Sequence, residues 1–320
     1  MKLFVVAGLL LSFAVHGQTF PIAGKPVRIV VPFPAGGQTD IQARAIAAKM
    51  SQLGGGSVIV ENKPGASTII GAMEVIRSAP DGHTLLYTIS STAAQNPHLF
   101  SKLPYEPFRD LTPVMFAARS ATILVAPANA PFSTVGELIA YAKANPGKVN
   151  YGSFSLGSTS HLAGEVLKRN AGIDIVHIPY KGSADATVGL LSGAVQLMFD
   201  GPTTALTNAK AGKVKMLAIA DDRRYPVAPE VPTMSEAGVS GFDKLVGGMQ
   251  FFGPGNIPRG VLAQVNAELA RVLRQPDVAK LFVDNGNEVL ASSPEEHARS
   301  VRELYDSFGV LIRELGIRLD

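Results

Sequence analysis

"VRIVVPFPAGGQTDIQARAIAAKM", residues 27–50, decides the fold class. Its first five residues are apolar and mostly β-branched apart from Arg28, the pattern of a buried strand. In "DIQARAIAAKMSQ" the residues Ile41, Ala45, Ile46 and Met50 fall on one helical face. Between strand and helix lies "PFPAGGQTD", residues 32–40, where two prolines precede the adjacent glycines Gly36 and Gly37. A strand entering a helix through such a loop is the repeating unit of an α/β sheet. In open α/β sheets this is also where ligands bind, at strand ends beside helix N-termini. Unpaired N–H groups and the helix dipole there favour an anion. Gly36 and Gly37 bare the backbone, and Gln38 and Thr39 add neutral donors. A tight turn with Asp40 as helix cap accounts for the same residues, so this loop alone leaves both readings open.

The alternation continues in both directions. "SVIVEN" (57–62), "HTLLYTIS" (83–90), "KVNYGSF" (148–154), "IDIVHIPY" (173–180), "VQLMFDG" (195–201) and "VKMLAIA" (214–220) have strand character. Helical stretches separate them, among them "STVGELIAYAKANPG" (133–147), with Ser133 or Thr134 as N-cap. Such alternation predicts parallel sheet covered by helices on both faces. Two stretches share a shape: "ILVAPANAPFSTVGEL" (123–138) and "MQFFGPGNIPRGVLAQV" (249–265). Each is an apolar strand, a turn with proline and a helix start. We take them as two crossings between lobes. One lobe is then residues 18–121 with 248–320, and the other 122–247.

The first 17 residues stand apart. Lys2 and the apolar "LFVVAGLLLSFAV" have the order of a secretory signal, which predicts export and a mature start near Gln18. The remaining 303 residues (320 minus 17) are long for a single sheet. With 46% hydrophobic and 17% charged residues the chain is globular. A net charge of +3 with no basic run gives no footprint for nucleic acid. Cysteine is absent, which removes disulfides and thiolate metal sites. The six histidines show no metal-binding spacing.

A second glycine loop, "YGSFSLGSTSH" (151–161), again joins strand to helix. Gly152 and Gly157 have P-loop spacing and are followed by Ser158 and Thr159, but the phosphate-binding lysine is replaced by Ser158. A small carboxylate suits this loop better than a nucleotide. Gly152, Ser155 and Gly157 miss the G-x-S-x-G elbow by one residue, and Ser158 with His161 suits a cap better than a nucleophile and its base. "PYKGSADA" offers Lys181 and Ser183, "MFDGPTTA" offers Asp200, Gly201, Thr203 and Thr204, and "ISSTAAQNP" offers Ser90, Ser91, Thr92 and Asn96. All follow strands, where short polar groups select a ligand by hydrogen bonds.

Taken in order, "VRIVVPFPAGGQTDIQAR", "VIVENKPGA", "PDGHTLL", "YEPFRDLTPV", "ILVAP", "YGSFSLGSTSHLAGE", "IPYKGSADA" and "PEVPTMSEAG" resemble the Bug receptors. These are substrate-binding proteins of the tripartite tricarboxylate transporter family, and the resemblance spans nearly the whole mature chain. It implies an α/β fold of periplasmic-binding-protein type II, two α/β lobes joined by two crossover strands. It further implies a small carboxylate gripped between the two glycine loops, partly through waters. By motif, Phe33, Ala35, Gly36, Gly37, Thr39 and Asp40 lie on one side of that ligand, and Ser153, Gly157, Ser158 and His161 on the other. The chain departs from the pattern at Ser155, where glycine is common, and at Gly253, where alanine is usual. The expectation is a monomeric periplasmic receptor that delivers its ligand to membrane transporter subunits, without catalysis, cofactor or metal. Its ligand residues are those just named with Gln38, Ser91, Ser155, Lys181 and Asp200. A ligand-sensing subunit for a signalling partner and a serine hydrolase are the alternatives.

Overall fold

The computed structural model describes residues 20–54 and 56–319; the expected signal peptide, residues 1–17, lies outside them. Among the described residues eleven strands follow in chain order: Val27–Val31 (β1), Val58–Asn62 (β2), Thr84–Ile89 (β3), Leu111–Ser120 (β4), Ile123–Pro127 (β5) and Val149–Ser153 (β6). Then come Ile175–Pro179 (β7), Leu197–Asp200 (β8), Val214–Ile219 (β9), Gly247–Pro254 (β10) and Glu288–Val289 (β11). They form two sheets, one ordered β11-β4-β10-β3-β1-β2 and the other β7-β6-β8-β5-β9. This is the two-lobe α/β architecture.

The sheets are mixed rather than parallel. β2, β1 and β3 run parallel, as do β7, β6 and β8. β10 lies antiparallel to β3 and β4, and β5 antiparallel to β8 and β9. Connectivity explains the difference. β4 leaves the first sheet and only residues 121–122 intervene before β5, so β5 starts at the lobe junction. The strands β6 and β8, fed by crossover helices, end there instead. Alternation of helix and strand reveals the crossover units but not the strands fed from another lobe.

Each sheet buries both faces. In the first, Ile29, Leu85 and Tyr87 pack against Ile46 and Met50 of the helix Gln38–Gln52 and Val265 of Arg259–Leu273. Val30, Leu86 and Phe252 face the other way, toward Val75 and Val301. In the second, Leu124 and Phe199 pack with Leu138 and Leu162, while Ile123, Val125 and Met198 pack with Leu190 and Leu206. Neighbours along a strand point to opposite faces, which is the period-2 rule at work.

Two crossings lie side by side at the junction, residues 121–122 and the segment after β9. The stretches 123–138 and 249–265 that the sequence marks as crossings each begin beyond one, β5 lying wholly in the second sheet and β10 in the first. Ala220 N donates to Thr122 O (2.8 Å), Ala121 N donates to the Tyr225 hydroxyl (2.8 Å), and Arg119 makes a bidentate pair with Asp221 (2.7 and 2.6 Å). The last helix, Pro294–Leu315, is opened by a Ser293–Glu296 capping box and belongs to both lobes. Val301 packs on the first sheet, whereas Phe308, Leu311 and Ile312 join the core of the second. The sequence assigned all of 248–320 to the first lobe; an amphipathic stripe shows which face is buried, not what buries it.

Candidate functional site

The glycine pair after β1 divides the two roles left open by its sequence. Gly36 has φ +84°, with open space around the position of a Cβ, so its glycine serves the turn. Gly37 has φ −82° and ψ 170°, which any residue adopts. A Cβ there would stand 3.8 Å from Cβ of Ser183 in the opposite lobe. Gly37 keeps the surface between the lobes bare. It is also the N-cap, so the helix starts at Gln38 and Asp40 is its third residue rather than its cap. The Asp40 carboxylate reaches back to accept from Gly36 N (2.9 Å), Arg44 Nε (3.0 Å) and Asn62 Nδ2 (2.9 Å). Burial pushes its pKa up, but these partners outweigh that and hold it below the ordinary value. Its charge braces the loop from behind and is already paired.

Three helix starts converge at the interlobe cleft: Gln38–Gln52 from the first lobe, Ser183–Leu191 and Pro202–Lys210 from the second. Their N-caps are Gly37, Gly182 and Gly201, none of which has a side chain to cap with; in the third helix Pro202 has no N–H and Thr203 N is taken by Gln38 Oε1. First-turn N–H groups have no partner within their own helix, so three positive dipole ends face one space. That space is a chamber of about 30 Å³ bounded by Phe33, Gly37, Gln38, Thr39, Ser183 and Gly201, with apolar Ile89, Phe154 and Met249. An adjoining chamber of about 40 Å³ shares its apolar wall and reaches the crossings at Ser120, Thr122, Gly247 and Gly248. Among the described residues, no Lys or Arg lines either one.

The lobes are in contact across this cleft. Gln38 Oε1 accepts from Thr203 N (3.1 Å), while its Nε2 donates to Ser120 Oγ and Asn287 Oδ1 (both 3.4 Å). Gln95 Nε2 donates to Thr159 Oγ1 (2.9 Å). A Cβ on Gly182 would approach Pro34 Cδ to 2.8 Å. Each chamber has room for about two or three waters, too little for an organic acid while the lobes stay in contact.

Of the residues the sequence singles out, Phe33, Gly37, Gln38 and Thr39 line the cleft. Ala35 and Gly36 sit exposed beside it. Lys181 is exposed and lines neither chamber; its neighbour Ser183 does so instead. The 151–161 loop contributes Phe154 and Thr159 rather than its serines. Ser158 is the N-cap of Thr159–Ala171, accepting from His161 N, and its hydroxyl donates to Ser155 O (2.6 Å). Gly157, at φ +73°, donates its N–H to His161 Nδ1 (3.1 Å). Ser155 is buried, and Ser153 Oγ contacts His177 Nε2 (2.7 Å). His161 and His177 stack at 3.9 Å; burial lowers their pKa values to about 4 and about 3. His177 is therefore a poor base at neutral pH, and Ser158 makes no bond to the His161 ring.

Asp200 is buried behind Ser183 and Gly201, accepting from Gly201 N (2.8 Å), and burial pushes its pKa up to about 6. Ser91 is buried in a π-helical turn, Ser91–Gln95, with no partner for its hydroxyl, while Ser90 lines the far chamber. The sequence did not pick out Ile89, Met249, Ser120 or Thr122. The last two lie at and just after the end of β4, immediately before the stretch 123–138 that the sequence marks, and no motif points to them.

A wider groove of about 470 Å³ at the lobe junction holds Arg119, Arg223 and Arg224. Each is paired, with Asp221, Glu288 and Glu236 respectively. It offers an anion no free cation. Among the described residues no helix is long and apolar enough to cross a membrane, and no cluster is placed to hold a metal.

BugT of Bordetella pertussis is 31% identical over 326 residues, 99% of this chain and 98% of its own. A structure from R. palustris with adipate matches at TM-score 0.89 and 31% identity, covering 94% of this chain and 99% of that one. MatC from Rhodopseudomonas palustris with bound malate matches at 0.86 and 33%, covering 91% and 100%. Residues 42–317 match the Tripartite tricarboxylate transporter family receptor. With this fold, these relatives and that match, the chain belongs to the tripartite tricarboxylate transporter receptor family.

Proposed function

We propose that the chain is a periplasmic receptor that closes two lobes on a small organic carboxylate and delivers it to membrane subunits of a tripartite tricarboxylate-type transporter. The observation that carries this reading is the convergence of three glycine-capped helix starts on one interlobe chamber. Each dipole end contributes about 0.3–1 kcal/mol toward an anion, and up to about 2 kcal/mol where partly buried. The charge is thus met by backbone from both lobes, and a ligand that needs both lobes favours the closed form. Relatives with bound adipate and malate support the ligand class, and the secretory pattern of residues 1–17 supports the compartment.

The test is a thermal-shift screen of small carboxylates followed by Gly37→Val. Ligand at a hundred times its dissociation constant stabilises a receptor by about 2.7 kcal/mol. Because Gly37 has an ordinary φ and a Cβ there meets nothing closer than 3.8 Å, the variant is expected to fold. Its branched methyls occupy the anion chamber and remove most of the ligand-dependent shift. A variant that keeps the full shift refutes the chamber as the carboxylate site.

A further inference from the structure

The far chamber is built differently from the anion chamber. Four hydroxyls bound it, those of Ser90, Ser120, Thr122 and Thr159. Ser90 Oγ already accepts from Gly248 N (3.2 Å) and Gln250 Nε2 (3.0 Å), which fills both of its lone pairs. Ser120 Oγ accepts from Gln38 Nε2 and Thr159 Oγ1 from Gln95 Nε2. In each case the hydroxyl hydrogen is left to give. Thr122 is 5% exposed and its Oγ1 has no hydrogen-bond partner at all. A buried polar atom without a partner is costly, so its place beside a cavity calls for one; with three neighbouring hydroxyls also holding a hydrogen to give, the partner that suits them together is an acceptor.

That acceptor is uncharged. The helix starts at Gly37 and Ser183 lie at the other chamber; Gly201 lines both, but its helix opens with Pro202, which has no N–H, and Thr203, whose N–H is given to Gln38 Oε1, while Thr159–Ala171 is already capped by Ser158. A second carboxylate would be enclosed beside the first with no cation and no free dipole end to meet it, which is the expensive way to bury a charge.

We infer that the far chamber is a specificity subsite for a neutral carbonyl, so that the ligand is a monocarboxylate carrying an oxo, amide or ester group at its far end. This rests on the carboxylate reading above and narrows it. Because Thr122 lies in the crossing between β4 and β5, the carbonyl touches the hinge itself.

The test measures dissociation constants by calorimetry at pH 7.5 for acids of three to six carbons. Each length is supplied with a methyl, an oxo or amide, and a carboxylate end. At the best length the carbonyl-ended acid is expected to bind about tenfold tighter than both others, as one well-made neutral hydrogen bond allows. Thr122→Val keeps the shape and removes the hydroxyl. It should bring the carbonyl-ended acid to parity with the methyl-ended one, leave the methyl-ended acid within about twofold, and not lower the melting temperature of the unliganded protein. If carboxylates bind but the dicarboxylate is tightest at every length, or Thr122→Val keeps the carbonyl preference, the inference falls and the carboxylate reading stands. If no acid in the set binds below millimolar, both fall together.

Discussion

Replacing Asp200 by Asn should stabilise the protein at neutral pH and leave it unchanged in acid. Asp200 ends β8 at 2% exposure, and no basic side chain is among the partners of its carboxylate. Burial raises its pKa from 3.8 to about 6, against the opposing hydrogen bonds from Thr204, Ser183 and the Gly201 N–H. The sign follows from proton uptake. Between these values the unfolded chain has lost the proton that the folded chain keeps, so stability falls as pH rises from about 4 to about 6. The gap of roughly two units, at about 1.36 kcal/mol each, makes the cost at pH 7.5 about 3 kcal/mol. This is a ceiling, because Asn offers one acceptor oxygen where the carboxylate offers two. For a chain of this size that corresponds to about 5 °C in melting temperature. The assay is scanning calorimetry of wild type and Asp200→Asn from pH 4 to pH 8. A difference that stays constant across that range, or a variant that melts lower at pH 7.5, refutes a costly buried charge at this position.

Two further outcomes follow from the cleft and the core. Gly201 has φ −65°, but a Cβ would stand 2.4 Å from Gln38 Oε1; Gly201→Ala should fold normally and displace the Gln38 bond to Thr203 N. Small-angle scattering should then give a larger radius of gyration than wild type without ligand, and an unchanged radius counts against Gln38 as the latch. His297 is fully buried against Phe252, and burial lowers its pKa to about 3. Below pH 6.5 the unfolded chain gains a proton there that the folded chain refuses, so stability falls with pH down to about 3. Between pH 6.5 and 5 that loss is about 2 kcal/mol. His297→Phe should remove it, as read from urea midpoints at the two pH values, and an unaltered acid limb would contradict the assignment.

The strands and the glycine loops were legible because each is written locally. The run 27–31 is buried at four of five positions, and the loop that follows it does line the cleft. What was not legible is which loops meet. Lys181 and Ser183 are two residues apart, and charge made Lys181 the natural choice for a carboxylate. In the fold Lys181 is exposed, while Ser183 at the helix start behind it lines the interlobe chamber. A dipole made of backbone leaves no letter in the sequence except the glycine that precedes it. Gly182 and Gly201 were such letters, and each is also an ordinary turn residue. The serines of the second loop misled for the opposite reason. Hydroxyls suited to a ligand are equally suited to capping, and Ser158 caps its own helix.

The helix shared by both lobes makes the hinge a spring as well as a pivot. Its 22 residues run about 33 Å, seated at Val301 on one sheet and at Phe308, Leu311 and Ile312 on the other. Two turns between those seats must flex or slide whenever the cleft gapes, and that elastic work enters the equilibrium between gaping and shut forms. Apparent affinity is scaled by the fraction of molecules in the competent form. On the receptor reading proposed above, apparent affinity is therefore adjustable from the back of the molecule, by residues 302–307, while the groups that line the cleft stay as they are.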